Sequence, residues 1–499
     1  MAGTSDAVSA EPRAGARSSL ILLNATFRAI ADIGSKIATA ALYLFIARKA
    51  GATQFGIFVF ALSFAGIAIT LGQFGQEIVL TREVARDHRR LDAYYSGVLL
   101  SRALLSVPPL LLALTVASLA GMSGHTRLVI LLMGFGFVGD FLLQVSFAVF
   151  QAYERAGMMP VVLITQRWVT TAAAITALYL GGGIVAVSAL YCAGALAAAA
   201  LAAWLMYRMV ARPRLRFDVG GALRVTREAV PVGLGMVAFL LLARIDTTML
   251  AIFTPPSVVG QYGAAYRLLE TTAFVTWSVN TASLPTMARL SPTSAPSVGA
   301  VYQRALKLVL VITVPMAVGA AILAGPIIAL LYGPQYHLAG FALVLLAPTI
   351  MLFPVSSLSS QLFYAQNIRR IVAVTYLVVF VENVVLNLIL IPLYSLNGAA
   401  IGTTISEFLV AGTLLFRSKS LRGRLHVRRI LAGVALGSSA VAIVTVVLHQ
   451  YLALAIPLAI VIYLAVFLAH ERLVFPEDFA VIRHFAARLT PLSTPPAAS

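Results

Sequence analysis

Fourteen apolar stretches, each long enough to cross a bilayer, follow one another along this chain and leave little else for it to fold into. A hydrocarbon core needs about 20 helical residues to span it. The stretches run roughly over 20–47, 56–80, 94–120, 128–151, 158–180, 184–207, 229–253, 258–286, 302–324, 338–366, 371–394, 397–416, 430–449 and 451–470. In hydrocarbon a segment must satisfy its own backbone polar groups, so each run is expected to be a helix. Of the 499 residues 60% are hydrophobic and only 11% are charged, against about 25% charged in soluble domains. The expected fold is an all-α polytopic membrane protein with about 14 transmembrane helices.

The charges between the stretches give an orientation. One set of loops carries Arg82, Arg86, Arg89 and Arg90, then Arg155, then Arg208, Arg212, Arg214, Arg216, Arg224 and Arg227. Later loops of the same set carry Arg289, Arg369 and Arg370, then Arg417, Lys419, Arg422, Arg424, Arg428 and Arg429. The alternate loops hold only Arg48, Lys49 and Arg127. The asymmetry predicts that the basic loops and both termini are cytoplasmic. It also explains the net charge of +18 without a nucleic-acid partner. Residues 1–18 are small and polar, with Arg13 and Arg17 ahead of the first apolar run, which reads as an uncleaved signal anchor. The single cysteine, Cys192, rules out a disulfide within the chain and a cysteine-built metal site.

The basic stretch 209–228, with Pro213, Gly220 and Gly221, separates six spans from eight. Phe55-Gly56-Ile-Phe58 follows the first span and Val259-Gly260-Gln-Tyr262 follows the seventh, a weak internal repeat. Two similar lobes are a common transporter plan. The segment from Pro476 to Leu489 has the spacing of a surface helix on the membrane.

Chemistry is concentrated in charges inside the spans. Asn24, Arg28, Asp32 and Lys36 recur every four residues and form one polar ribbon on the first helix. If the span began after Lys36, too few apolar residues would remain before Arg48, so the ribbon lies within the membrane. Each such charge costs about 2.5–3.5 kcal/mol to insert and is expected to face protein or a watery cavity. Two readings stand. The ribbon is a structural ion pair between packed helices, or it is a cationic wall for an anionic substrate. Further intramembrane charges are Arg102, Asp140, Arg167, Arg244, Asp246, Arg267, Glu270, Glu382 and Glu407. Arg28, Lys36, Arg244 and Arg267 sample successive depths, a ladder on which a phosphate could be passed, because arginine donates to phosphate in a bidentate fork. Against that, Arg267 and Glu270 are three residues apart and could simply neutralise each other. Asp32, Asp246, Glu270, Glu382 and Glu407 are candidates for ion or proton coupling or for ion pairing, with buried hydrogen-bonded packing as the alternative for Glu382 and Glu407.

Other chemistries are missing from the sequence. There is no Gly-x-x-x-x-Gly-Lys-Ser/Thr phosphate loop and no His-Glu-x-x-His, and the seven histidines sit mostly at span ends. No metal site and no cofactor are expected. Asn24-Ala-Thr26 matches a glycosylation acceptor but falls in a span. The outer loops are short, which leaves little room for the acceptor site of a membrane glycosyltransferase or ligase.

Several motifs carry a resemblance. Ala47-Arg48-Lys-Ala-Gly51 with Phe55-Gly56 resembles the start of Wzx-type polysaccharide flippases. Arg244-Ile-Asp246-Thr-Thr-Met-Leu250, followed by Val259-Gly260-Gln-Tyr262, is similar to their seventh and eighth spans. Leu330-Leu-Tyr-Gly333-Pro-Gln-Tyr336, Asn383-Val-Val-Leu-Asn387, Asn397-Gly-Ala-Ala400 and Ser406-Glu407 are similar to their second lobe.

The resemblance implies the multidrug/oligosaccharidyl-lipid/polysaccharide exporter fold, with two pseudo-symmetric six-helix lobes and here two extra C-terminal helices. The expected division is 1–208, a linker 209–228, 229–417, an added pair in 430–470 and a tail 471–499. It implies alternating-access transport of a polyprenyl-diphosphate-linked glycan, such as an undecaprenyl diphosphate oligosaccharide, across a bacterial cytoplasmic (inner) membrane. Expected partners are that glycan, membrane lipids, and a polysaccharide polymerase with other export components. The protein would be a transporter and not an enzyme. Substrate contacts would fall to Asn24, Arg28, Lys36, Arg244 and Arg267. A lipid II flippase and a multidrug cation antiporter share the fold and remain as alternatives.

Overall fold

The computed structural model describes residues 14–70, 75–155, 157–216, 218–290, 295–418 and 426–477; the side chains of 14–32, 231, 232, 295 and 427 lie outside the described residues. Within these limits every regular element is helical. The helices are α1 (Ala14–Thr70), α2 (Gln76–Arg86), α3 (Leu91–Leu119), α4 (Gly124–Ala152), α5 (Met158–Tyr179), α6 (Ile184–Met209), α7 (Val219–Phe253) and α8 (Pro256–Leu290). They continue as α9 (Ala295–Ile322), α10 (Ala324–Tyr332), α11 (His337–Ala365), α12 (Arg369–Tyr394), α13 (Leu396–Arg417), α14 (Val427–Val447) and α15 (Leu452–Val474). The surface helix expected over 476–489 lies almost wholly outside the described residues.

Among the described residues, 12 helices are long and apolar enough to cross a membrane. The two missing from the expected fourteen have physical causes. The first and second spans are counted as one, because α1 is continuous except for a kink at Gly51, where φ is 80° and ψ is 172°. That conformation suits glycine, which has no Cβ to clash. The seventh helix's partner, α8, carries Arg267 and Glu270 among many hydroxyl residues and falls short in hydropathy. The second expected span is also discontinuous. Its helix ends at Thr70, and α2 restarts after Gly75, whose φ is 69°.

The chain forms two compact units, Met1–Ile46 with Ala68–Gly233, and Ala47–Ile67 with Leu234–Ser499. In the first, α4 packs along α6, and α2, α3 and α5 gather around this pair. Leu80, Val98, Val145, Phe150 and Met206 form a buried core there. In the second, α11 is the hub and packs on α8, α9 and α13. Its serines tie it to each neighbour. Asn280 Nδ2 donates to Ser357 Oγ at 2.7 Å, the Tyr302 and Ser359 hydroxyls lie 2.9 Å apart, and Ser356 donates to Glu407. The hairpin of α14 and α15 packs on α9.

The repeated glycines meet inside the second unit. A Cβ on Gly56 would fall 1.7 Å from the carbonyl oxygen of Pro256, and a Cβ on Gly260 would fall 2.0 Å from that of Ala52. Each glycine therefore abuts the backbone four residues before the other. Around this crossing Arg48 Nε donates to the Leu331 carbonyl at 2.6 Å, near the C-terminal end of α10. Tyr336 Oη donates to the Ala47 carbonyl at 3.1 Å, and Phe55 packs on the rings of Tyr332 and Tyr336. Three of the motifs read in the sequence thus belong to one junction.

Candidate functional site

The intramembrane charges sort into groups with different chemistry. In the second unit α7 and α8 form a hairpin across Thr254 and Pro255, which brings Arg244 and Arg267 to the same level. Both address Glu270. Arg267 Nη1 donates to Glu270 Oε2, and Arg244 Nη1 lies 3.6 Å from Oε1. These two arginines are therefore one step and not two successive rungs. Two guanidinium groups thus share one carboxylate. Arg267 is buried, whereas Arg244 and Glu270 are partly exposed, so the exposed side of the cluster is where an anion could be met.

A second group surrounds Asp246. Only two residues along α7 from Arg244, it points elsewhere and is 2% exposed. Asn387 Nδ2 donates to its Oδ1 at 2.6 Å, Thr403 Oγ1 donates to Oδ2, and the Tyr262 hydroxyl lies 3.5 Å away. Among the described residues no cation is paired with it. The polar chain continues from Asn387 to Asn383 at 2.9 Å, from Asn383 to Ser406 at 3.1 Å and from Ser406 to Glu382 at 2.9 Å. A buried carboxylate met only by neutral groups pays a large desolvation cost unless it takes up a proton or a cation. Glu407, with Ser356 as its donor, is a smaller instance of the same arrangement.

In the first unit Arg102 and Arg167 are each paired locally. Arg102 is buried, donates to Glu77 Oε2 at 2.7 Å and to the Phe141 carbonyl, and lies over the Phe141 ring. Asp140 accepts from Gln166 at 3.0 Å and from Tyr191 at 2.8 Å, with Arg167 at 3.7 Å. Lys36 is exposed on α1. Asn24, Arg28 and Asp32 fall in α1, but their side chains lie outside the described residues.

Sequence reasoning did not name Asn383, Asn387, Thr403, Tyr262 or Ser406 as site residues. A signal was there. Asn383 and Asn387 stand four apart in an apolar helix, the same spacing that singled out the ribbon of α1.

Residues 21–291, more than half of the chain, match the polysaccharide biosynthesis protein family. The chain belongs to this family. Among similar proteins, the probable low-salt glycan biosynthesis flippase Agl15 of Haloferax volcanii is 22% identical over 376 residues, 72% of this chain and 76% of Agl15. The probable flippase AglR of the same organism is 30% identical over 166 residues, and the chain spans only 35% of its length. Among solved structures, the lipid II flippase MurJ in an inward closed conformation is similar with a TM-score of 0.74 at 17% identity, over 89% of this chain and 98% of that one. That likeness shows the fold, as does one of TM-score 0.62 at 16% identity, over 78% of this chain and 96% of that one, to an inward-facing multidrug resistance MATE family transporter of the MOP superfamily. The resemblance read from the motifs thus holds for family and fold, and the protein is a multi-pass membrane protein.

Proposed function

We propose that this family member is a flippase that moves a polyprenyl-diphosphate-linked oligosaccharide across a bacterial cytoplasmic membrane by alternating access, with both termini cytoplasmic. The observation that carries this reading is the Arg244–Glu270–Arg267 cluster, in which two guanidinium groups share one carboxylate and the Arg244 charge stays partly exposed. Such a charge is costly, and a diphosphate headgroup would offset it while gaining charge-assisted hydrogen bonds. No bond of the glycan need be made or broken, so the reading is that of a transporter. The protein must bind the headgroup in two states and interconvert them. In this reading Asn24, Arg28 and Lys36 are further headgroup contacts, Asp246 takes up the coupling proton or cation, and the lobes are 1–208 and 229–417. Export components such as a polymerase would receive the product.

A charge-swap series tests it. Charge-assisted bonds to phosphate are worth about 1.5–3 kcal/mol, so Arg244→Ala should weaken apparent headgroup affinity about tenfold to a hundredfold. Arg244→Lys should keep part of it, because a point charge remains without the fork. Glu270→Gln should leave binding intact or tighter, since it raises the local positive charge. The multidrug cation antiporter requires the opposite order. Headgroup binding by purified protein, measured with a short-chain diphosphate lipid, decides between them: undiminished binding in Arg244→Ala with loss in Glu270→Gln would reject the flippase reading. Lipid II in place of the oligosaccharide lipid is the second arm of the same assay.

A further inference from the structure

The connection between α6 and α7 is a fixed strap and not a loose loop. Its backbone is tied to α3 at the N–H of Arg214, which donates to Asp92 Oδ1 at 2.9 Å, and at the N–H of Arg216, which donates to Ser96 Oγ at 3.0 Å. Tyr207 Oη donates to the Pro213 carbonyl at 2.7 Å. Asp218 accepts from the N–H groups of Gly220 and Gly221 at 3.0 and 2.8 Å and so caps α7. The Thr226 hydroxyl lies 2.6 Å from that of Ser101, and Tyr94 donates to Glu228 at 3.3 Å. The nearby carboxylates all accept hydrogen bonds: Asp92 of α3 and Glu228 of α7 are half-buried, and Asp218 is exposed.

Beside the exposed Asp218 and Arg214, what faces outward is of two kinds. Val219 and Leu223, one helical turn apart on α7, are 66% and 68% exposed and make an apolar ridge, and Leu215 of the strap before it is 50% exposed. Arg212, Arg216, Arg224 and Arg227 flank it, all exposed. The level of the ridge follows from α3. A hydrocarbon core takes about 20 helical residues, so counting back from Leu119 its boundary falls near Leu99 and Leu100. A Cβ on Gly97 would stand 3.2 Å from the Gly221 carbonyl oxygen, which sets the start of α7 just outside that boundary.

We propose that the strap docks on the anionic headgroups of the bilayer, with Leu215, Val219 and Leu223 at the acyl boundary and the four arginines on lipid phosphates. An apolar ridge with basic flanks at this depth is the surface chemistry of an interfacial helix. Guanidinium groups reach phosphate in a bidentate fork, and each adds roughly fivefold to partitioning onto an anionic surface. A cytosolic protein would have no use for a ridge at the depth of the headgroups. The proposal concerns the membrane and not the transported lipid, and it stands whether or not the flippase reading does.

The test uses the whole protein in vesicles of phosphatidylcholine with and without phosphatidylglycerol. Single cysteines replace Val219, Leu223 or, as an aqueous control, the exposed Glu154, all with Cys192→Ala, and carry a nitroxide. Oxygen should relax the label more than an aqueous nickel chelate at Val219 and Leu223, and the order should reverse at Glu154. Nickel access at Val219 and Leu223 equal to that at Glu154 overturns the proposal and points to a protein partner. Independently, spin-labelled phosphatidylglycerol should be preferred over phosphatidylcholine. Arg212→Gln with Arg216→Gln should cut that preference several-fold, and adding Arg224→Gln with Arg227→Gln should cut it further. An unchanged preference in folded protein overturns the proposal. If the fourfold variant does not fold, the first pair and the depth readings still decide.

Discussion

Asp246 separates charge from shape at the scale of one residue. Its carboxylate takes hydrogen bonds from Asn387 and Thr403 and has no paired cation among the described residues. Asp246→Asn keeps one acceptor oxygen and nearly the same volume. It is expected to fold with a melting temperature close to the parent and to lose coupled transport, as read by headgroup flipping in vesicles under an imposed ion gradient. Asp246→Leu strips both donors of their acceptor, at about 1–3 kcal/mol for each buried group left unpaired, and should lower the melting temperature as well. Equal transport by Asp246→Asn and the parent would remove Asp246 from the coupling role. Arg102 behaves differently. Its guanidinium is buried and donates to Glu77 and a backbone carbonyl, so Arg102→Ala should cost about 1.5–3 kcal/mol of stability by removing charge-assisted hydrogen bonds. Arg244→Ala, at a partly exposed position, should leave folded yield unchanged.

The elements themselves were legible wherever one apolar run stood between two polar loops, because hydrocarbon thickness fixes a span near 20 residues. Helices α3 to α6 and α11 to α15 follow their expected ranges for this reason. The short pieces were not legible. Glycine at 51 neither stops α1 nor leaves it straight, and α10 is a nine-residue helix that no periodicity distinguishes from the span before it. The convergence of Arg244 and Arg267 on Glu270 was equally hidden, since it depends on how α7 and α8 register against each other. The α14–α15 hairpin offers a test at this scale. Glu471, fully buried at the end of α15, holds Lys307 of α9 at 2.6 Å. Lys307→Met leaves the carboxylate with only His470 Nδ1, 3.7 Å away, and should destabilise by about 3 kcal/mol, whereas Lys307→Met with Glu471→Leu should be close to neutral. Thermal unfolding of the two variants, followed by tryptophan fluorescence, compares them directly.

For the whole molecule the loop charges make the sharpest prediction. Reporter fusions after Arg90, Gly182, Pro213, Gln335 and Lys419 should read cytoplasmic, external, cytoplasmic, external and cytoplasmic. A cytoplasmic signal at Gly182 would break the orientation of the first six spans. The internal repeat gives a different kind of expectation. It was faint in the sequence, a glycine and an aromatic at equal offsets, yet its two glycines lie against each other's helices. The contact is isologous: each partner presents the same surface to the other, as across a two-fold axis of a homodimer. A Cβ at either position drives apart the same two backbones, and once they have parted a second Cβ finds the room already made. Gly56→Ala and Gly260→Ala should therefore not add: the double variant should be little worse than the poorer single one, with an interaction energy as large as the single effect itself. In genetic terms the pair is epistatic. A chain that has accepted the first change has lost most of the reason to refuse the second, so two positions some 200 residues apart are constrained as one.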